Sequence, residues 1–213
     1  MIKLYSYHRN SAGERVRIAL NLKGVPYAYV SAPALGEAYR ALNPQGLMPA
    51  LDTDGRILLQ STAILEYLEE RWPEPRLLPA DPLLRAEARG FGQVIACEMH
   101  PLTVQRVRKR LEADIGAGEE AIEGWTQHWM AEGLATLEAM LARRERAWHF
   151  CFGDTPGWAE LYLIPQLRNA RRFGLDLADY PLLLDVEAHC VDLDAFRKAR
   201  PENQPDFPKA AHA

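Results

Sequence analysis

The chain has 213 residues, of which 48% are hydrophobic and 25% charged, a balance that fits a soluble globular protein of one domain or two small ones. Its formal net charge of −4 excludes a general attraction to nucleic acid, although a locally basic pocket stays open. No run of about 18 apolar residues exists to cross a membrane, and the three widely spaced cysteines, Cys97, Cys151 and Cys190, make neither a disulfide framework nor a zinc knuckle. Arg9 interrupts the N-terminus before any long apolar run, so it does not read as a signal peptide, and reduced, buried thiols fit a cytoplasmic protein.

Residues 2–6 read as a short strand, and SAGERVRIALNLKG from Ser11 reads as a helix. Val16, Ile18, Ala19 and Leu22 give that helix an apolar face, Ser11 or Asn10 can cap it, and Gly24 stops it. VPYAYV at 25–30 is a second strand, and 36–42 has room for one or two helical turns. ALD (50–52) and RILLQ (56–60) flank Thr53-Asp54-Gly55, and Asp-Gly between two β-like runs signals a hairpin. STAILEYLEERW (61–72) is a helix with Ser61 as N-cap and Pro73 beyond its end. The first 80 residues or so therefore read β-α-β-α-β-β-α, a compact α/β unit.

PEPRLLPADP (73–82) carries four prolines and reads as a linker. Beyond it the texture is helical, with helices expected over 83–112, 118–144, 158–173 and 181–199, then a tail at 201–213 that passes from ordered to frayed. The expected domains are 1–80 and 81–213.

Four features bear on chemistry. Tyr7, Asn10 and Ser11 stand where a strand gives way to a helix, a place with unpaired N–H groups and partial positive charge. A hydroxyl there can stabilise a bound thiolate and lower its pKa; the plainer reading makes Ser11 only a cap. In Gln45-Gly46-Leu47-Met48-Pro49-Ala50, a cis Met48–Pro49 bond would turn the Met48 backbone toward a peptide-like ligand, whereas a trans proline would simply start a strand. Gln60-Ser61 at a helix N-terminus suits a carboxylate, or is an ordinary cap. Among Arg9, Arg15, Arg17, Arg106, Arg108, Arg110, Arg171 and Arg172, several belong on solvated helix faces, while Arg9 lies beside the thiolate position, suited to two-pronged carboxylate binding. His100, before Pro101, faces a cleft or is an ordinary surface or packing residue of a helix. No metal-ligand spacing, Walker loop, GxSxG or GxGxxG is present.

These residues lie in an ordered series: LYSYHRNSAGERVRIALNLKGVPYAYV, ALNPQGLMPAL, LLQSTAILEYLEERWPEPRLLPADP, HPLTVQRVRKRL, WTQHWMAEGLATLEAML, FGDTPGWAELYLIPQLRNARRFGLDL and LDAFRKARPENQPD. Over almost its whole length the chain resembles the zeta-class glutathione transferases, which include maleylacetoacetate and glutathione-dependent maleylpyruvate isomerases. The resemblance implies an α/β plus all-α fold, with a thioredoxin-like N-terminal domain, an all-helical C-terminal domain, and glutathione bound between them in a homodimer. It implies cis–trans isomerisation of a maleyl diacid, maleylacetoacetate or maleylpyruvate, to its fumaryl isomer in aromatic degradation. By the same resemblance, Ser11, with Arg9 and Asn10 beside it, is the catalytic group. Gln45, Met48 with cis Pro49, Gln60, Ser61, His100 and Arg106 hold glutathione, and Arg9 and Arg172 hold the substrate carboxylates. Two other readings stay open: a general transferase that conjugates electrophiles, and a glutathione-fold binding protein without catalysis.

The chain departs from the family pattern at several points. The usual Ser-Ser-Cys run reads Asn10-Ser11-Ala12, and Glu14 replaces an aromatic residue or histidine. Val104 replaces an asparagine, and the 31–40 segment is several residues short. Gly157 and Glu160 replace a Ser/Thr cap and an aspartate. A glycine cap costs only tenths of a kcal/mol, so the helix after Gly157 is expected to form.

Overall fold

Strand β1 (Ile2–Ser6) runs parallel to β2 (Tyr27–Ser31) and antiparallel to β3 (Ala50–Thr53), which pairs antiparallel with β4 (Arg56–Leu59). The order β2-β1-β3-β4 places β1 and β3 centrally, where Leu4 and Leu51 pair, both fully buried. The β3–β4 link turns at Asp54 and Gly55, with φ of 52° and 82°, the two positive angles that an Asp-Gly hairpin supplies. The computed structural model describes residues 1–208. Its chain forms two compact units, one built from Met1–Leu77 with the segment from Val191 onward, the other from Leu78–Cys190. The expected division at residue 80 differs at the C-terminal end, since the segment after Cys190 joins the first unit.

In the first unit, α1 (Ser11–Leu22) and α4 (Ser61–Arg71) pack together, with α2 (Ala32–Leu35) and α3 (Glu37–Leu42) between β2 and β3. Val16, Ile18, Ala19 and Leu20 of α1 meet Ile64, Leu65 and Leu68 of α4 in a core that excludes water. The polar side of α1 is buried too, including Glu14, Arg15 and Arg17. For Arg17 the cover is α11 (Asp194–Ala199), which lies against α1, whereas Arg15 turns to Ser61 of α4. The reading of 181–199 as one helix fails here: α10 (Pro181–Cys190) ends, Leu193 is extended, and α11 begins.

Arg17 is 0% exposed. Its guanidinium donates to Ala199 O (2.9 Å), Ser6 Oγ (3.3 Å), Tyr7 O (3.4 Å) and His8 O (3.3 Å). One side chain thus joins α11 to β1 and to the loop that leads into α1. Asp206 adds a second clasp, accepting from Tyr29 Oη (2.8 Å), Ser31 Oγ (3.0 Å) and the His8 N–H (3.3 Å). The ordered start expected of the tail is thus fastened at Asp206, and residues 209–213, where fraying is expected, lie outside the described residues. Lys23 anchors the other end of α1, with Nζ on Trp72 O, Pro75 O and Glu69. A cation at the closing carbonyls of α4 also suits that helix's dipole.

In the second unit the expected helix 83–112 is three helices. Asp81 caps α5 (Pro82–Gln93) through Leu83 N and Leu84 N, both at 2.9 Å. The helix widens into a π-helical turn (Val94–Met99), continues as α6 (His100–Thr103) and breaks at Val104 before α7 (Gln105–Ile115). Pro101 has no N–H to offer the carbonyls of the preceding turn, and the Thr103 hydroxyl donates to Met99 O (3.1 Å). α8 (Glu119–Ala142) and α9 (Trp158–Arg172) follow, bordering a core of Phe91, Ile95, Met99, Leu134, Leu137, Trp158 and Tyr162. Gly133 of α8 admits the Met99 side chain, which a Cβ there would overlap. α9 forms with its glycine cap as expected. Glu160 accepts from Gly157 N (2.7 Å) and Cys151 N (2.6 Å), so the carboxylate supplies the contact that remains.

Arg17→Met leaves three carbonyls and a hydroxyl without their donor. Urea denaturation is expected to register a loss of about 3 kcal/mol or more. His8 is buried against Tyr7 and Phe207. Burial chiefly holds its pKa below the usual 6.5, Arg9 adding to that and Asp206 opposing it. The unfolded chain thus binds a proton that the folded chain resists, so His8's contribution is full above pH 6.5 and is lost as pH falls through the folded value. His8→Asn is expected to flatten the decline of Tm below pH 6.5.

Candidate active site

The loop from β1 into α1 closes with the Asn10 N–H on Tyr7 O (3.0 Å). Asn10 is extended (φ −105°, ψ 103°), and its Oδ1 accepts from Gly13 N at 2.5 Å. The sequence leaves Asn10 and Ser11 both open as caps; the structure gives the cap to Asn10. Ser11 is the first residue of the helix and 8% exposed. Its hydroxyl therefore stands at the positive end of α1, beside N–H groups that no preceding turn can use. Gly13 is required there, because a Cβ would lie 2.7 Å from Asn10 Oδ1 and would also overlap Ser6 Oγ. Arg9 is exposed one residue before the cap.

The approach to β3 is braced from within. Asn43 Nδ2 and Tyr39 Oη both donate to Leu47 O, at 2.6 and 2.7 Å, and Asn43 Oδ1 accepts from Gln45 N (3.1 Å). The Met48–Pro49 bond is cis. The Met48 side chain packs on Tyr5, Tyr39 and Ala50, while its backbone precedes the ladder that starts at Ala50. Gln60 Nε2 donates to Gln45 Oε1 (2.9 Å), which brings these two expected binding residues together.

Gln60, not Ser61, holds the N-cap position of α4, a correction to the sequence reading. Its φ of 70° and ψ of 120° form a backbone shape rare outside glycine. Such strain costs about 1–3 kcal/mol and clusters at ligand clamps. Ser61 is thereby the first helical residue, and Arg15 Nη1 donates to its hydroxyl (3.3 Å). The sequence reading singles out Arg9 among the arginines and gives Arg15 no role, yet Arg15 is 2% exposed. Its place four residues after Ser11, on the same helix face, is the signal that could have found it. Gln45, Gln60, Ser61 and Arg15 form one polar group in the first unit.

His100, Arg106 and Arg172 belong to the second unit. His100 opens α6 directly after the π-helical turn and is half-buried. Arg106 is exposed in the first turn of α7. Arg172 closes α9 and lies over the Phe173 ring, its guanidinium carbon 4.7 Å from the centroid. The α7 arginine at that ring is Arg108, at 4.8 Å. Residues two apart on a helix do not share a face, so Arg106 and Arg108 leave α7 on different sides. Burial, then the charge of Glu160, pushes the Cys151 and Cys190 thiols up, so neither supplies a nucleophile.

Residues 4–76 match the family model for the glutathione S-transferase N-terminal domain. The chain is 46% identical to a maleylpyruvate isomerase from a Ralstonia species, over 96% of this chain and 99% of that one. It is also 46% identical to a maleylacetoacetate isomerase of Pseudomonas aeruginosa, over 98% and 100%. The holo structure of a maleylpyruvate isomerase, described as a bacterial zeta-class glutathione S-transferase, superposes with a TM-score of 0.93 at 46% identity, covering 97% of this chain and 100% of that one. A maleylacetoacetate isomerase of Methylobacterium extorquens, solved with malonate and glutathione bound, gives a TM-score of 0.91 at 41% identity, with 97% and 100% coverage. The chain belongs to the zeta-class glutathione transferases, the family that holds the maleylpyruvate and maleylacetoacetate isomerases.

Proposed function

We propose that this protein is a glutathione-dependent cis–trans isomerase that converts a maleyl diacid, maleylpyruvate or maleylacetoacetate, to its fumaryl isomer. The observation that carries the reading is the opening of α1, where Asn10 does the capping and Ser11 stands first in the helix. The donor set fits an anionic, peptide-like cofactor. Ser11 and the first amides of α1 face a thiolate, the Met48 backbone offers strand-like pairing, and Ser61 with buried Arg15 offers a carboxylate a cation and a helix N-terminus. Gln45 and Gln60 border that position, and His100 and Arg106 add polar contacts to the cofactor.

When bound, glutathione supplies the thiolate that adds reversibly to the cis double bond and departs after rotation. The protein's residues keep that sulfur anionic and answer the charge that moves onto the substrate. Ser11 donates to the sulfur, while Asn10 fixes the helix end that presents it. Arg9 and Arg172 bind the substrate carboxylates and stabilise the enolate-like charge that develops next to them. No general acid–base pair is required of the protein, because the proton inventory of the diacid does not change. The reading carries a cytoplasmic homodimer with it, for which the family resemblance is the support. Among the described residues no helix is long and apolar enough to cross a membrane.

A spectrophotometric isomerisation assay on both diacids, with and without glutathione, tests the function; turnover of neither, with glutathione present, overturns it. Ser11→Ala removes a hydrogen bond to a charged sulfur, worth about 1.5–3 kcal/mol. The bound thiol's pKa is expected to rise by about one unit or more, read by ultraviolet titration of the thiolate, with turnover falling most at the acid side. Full activity at every pH would remove Ser11 as the activating group. Arg172→Ala is expected to raise the diacid KM by about tenfold or more; an unchanged KM would take Arg172 out of the substrate site.

A further inference from the structure

Arg108 takes no part in the isomerisation steps, yet its surroundings are those of a binding residue. It is half-buried on α7, and its Nε is shut off from water with no hydrogen-bond partner. Among the described residues its guanidinium makes no hydrogen bond or ion pair; its contact is the Phe173 ring. Glu123, a carboxylate near Gly174, accepts from Gln127 Nε2 instead (3.3 Å). A guanidinium N–H shut off from water with no acceptor is unfavourable unless an anion arrives to take it.

The ring also holds Arg172. With guanidinium carbons 4.8 and 4.7 Å from one centroid, the two cations lie within 9.5 Å of each other. Phe173 is itself held in place. Its N–H closes α9 on Asn169 O and Ala170 O, and its carbonyl accepts from Gln127 Nε2 at 2.8 Å. Aromatic stacking orients a guanidinium while leaving its in-plane N–H donors open for a carboxylate.

We infer that Arg108 is a further carboxylate-binding arginine of the substrate site, beside Arg9 and Arg172, that it shares the Phe173 ring with Arg172, and that the pair at this ring selects for dianionic substrates. This rests on the isomerase reading for the identity of the acid, but not for the binding of an acid as such. Phe173 acts as a positioning residue for both arginines.

The test uses Arg108→Met, which keeps apolar length on the ring, and Arg108→Lys, which keeps the charge but loses the fork. For Arg108→Met the KM of the diacid and the inhibition constant of malonate are expected to rise about tenfold or more. The kcat is expected to stay within about twofold, and the glutathione affinity, measured by calorimetry, to stay unchanged. Arg108→Lys is expected to fall between, and the Arg108→Met/Arg172→Met pair to lose less than the product of the single losses. Wild-type malonate affinity in both Arg108 variants overturns the inference. So does a loss of glutathione affinity without a change for the diacid, which would assign the arginine to the cofactor's carboxylate. Should the wild-type protein isomerise neither diacid, the functional reading fails, and malonate calorimetry on the same variants still decides the role of Arg108. If Arg108→Met does not fold, as judged by circular dichroism, the malonate and glutathione affinities of Arg108→Lys decide the matter on the same terms.

Discussion

The buried guanidinium of Arg17 is the contact on which the first unit depends. Taking a cation out of water is costly, and burial pulls this guanidinium's pKa down, with Glu14 the largest opposing influence. Arginine nevertheless stays charged in proteins, so the charge has to be answered by geometry. Three carbonyls and one hydroxyl answer it, drawn from the end of β1, the loop before α1 and the last turn of α11. A lysine has one donor centre and lacks the planar fork that reaches separate segments. The loop so held is the one that delivers Asn10 and Ser11. The electrostatics of the helix opening are therefore set partly by a side chain on the far side of the same helix, and partly by a partner, Ala199, that lies 182 residues further along the chain.

What is legible in the sequence is mostly local. The Asp54-Gly55 turn, the stop at Gly24 and the α9 helix each follow from a few neighbouring residues. What is not legible is set by contacts distant in sequence. Helical periodicity runs through 181–199 without a glycine, and with no proline after the first position, so the break after Cys190 has no local signature. Once α11 leaves for the first unit, it covers Arg17 of α1. A pattern rule sends polar residues to water, and here it sends Arg17 the wrong way under α11 and Arg15 the wrong way against Ser61 of α4. The split of 83–112 is intermediate: Pro101 is a visible irregularity, but the π-helical turn before it is a matter of packing.

The candidate site divides in the same manner. Ser11, Met48, Gln60 and Ser61 stand out because each sits at an element boundary, where backbone groups lack partners and a motif is short enough to recognise. Arg15 and Arg108 do not stand out, because a helical arginine has no such marker. The i, i+4 spacing from Ser11 exposes Arg15 once the cap is assigned to Asn10. For the arginines of α7 the family motif points at Arg106, and only the position of the Phe173 ring separates it from Arg108.

The departures at 10, 12 and 14 have a physical sense. An amide caps α1 as well as a hydroxyl does, so Asn10 maintains the helix end. Ala12 is buried, and a cysteine there is dispensable if the reacting sulfur arrives with the ligand. Glu14 is a buried carboxylate beside the guanidinium that ties the unit together, and its charge favours the charged form of Arg17. A neutral aromatic at that position would add apolar contact but withdraw this support. The substitution thus exchanges packing for electrostatic compensation, in a helix whose polar side is already closed off from water.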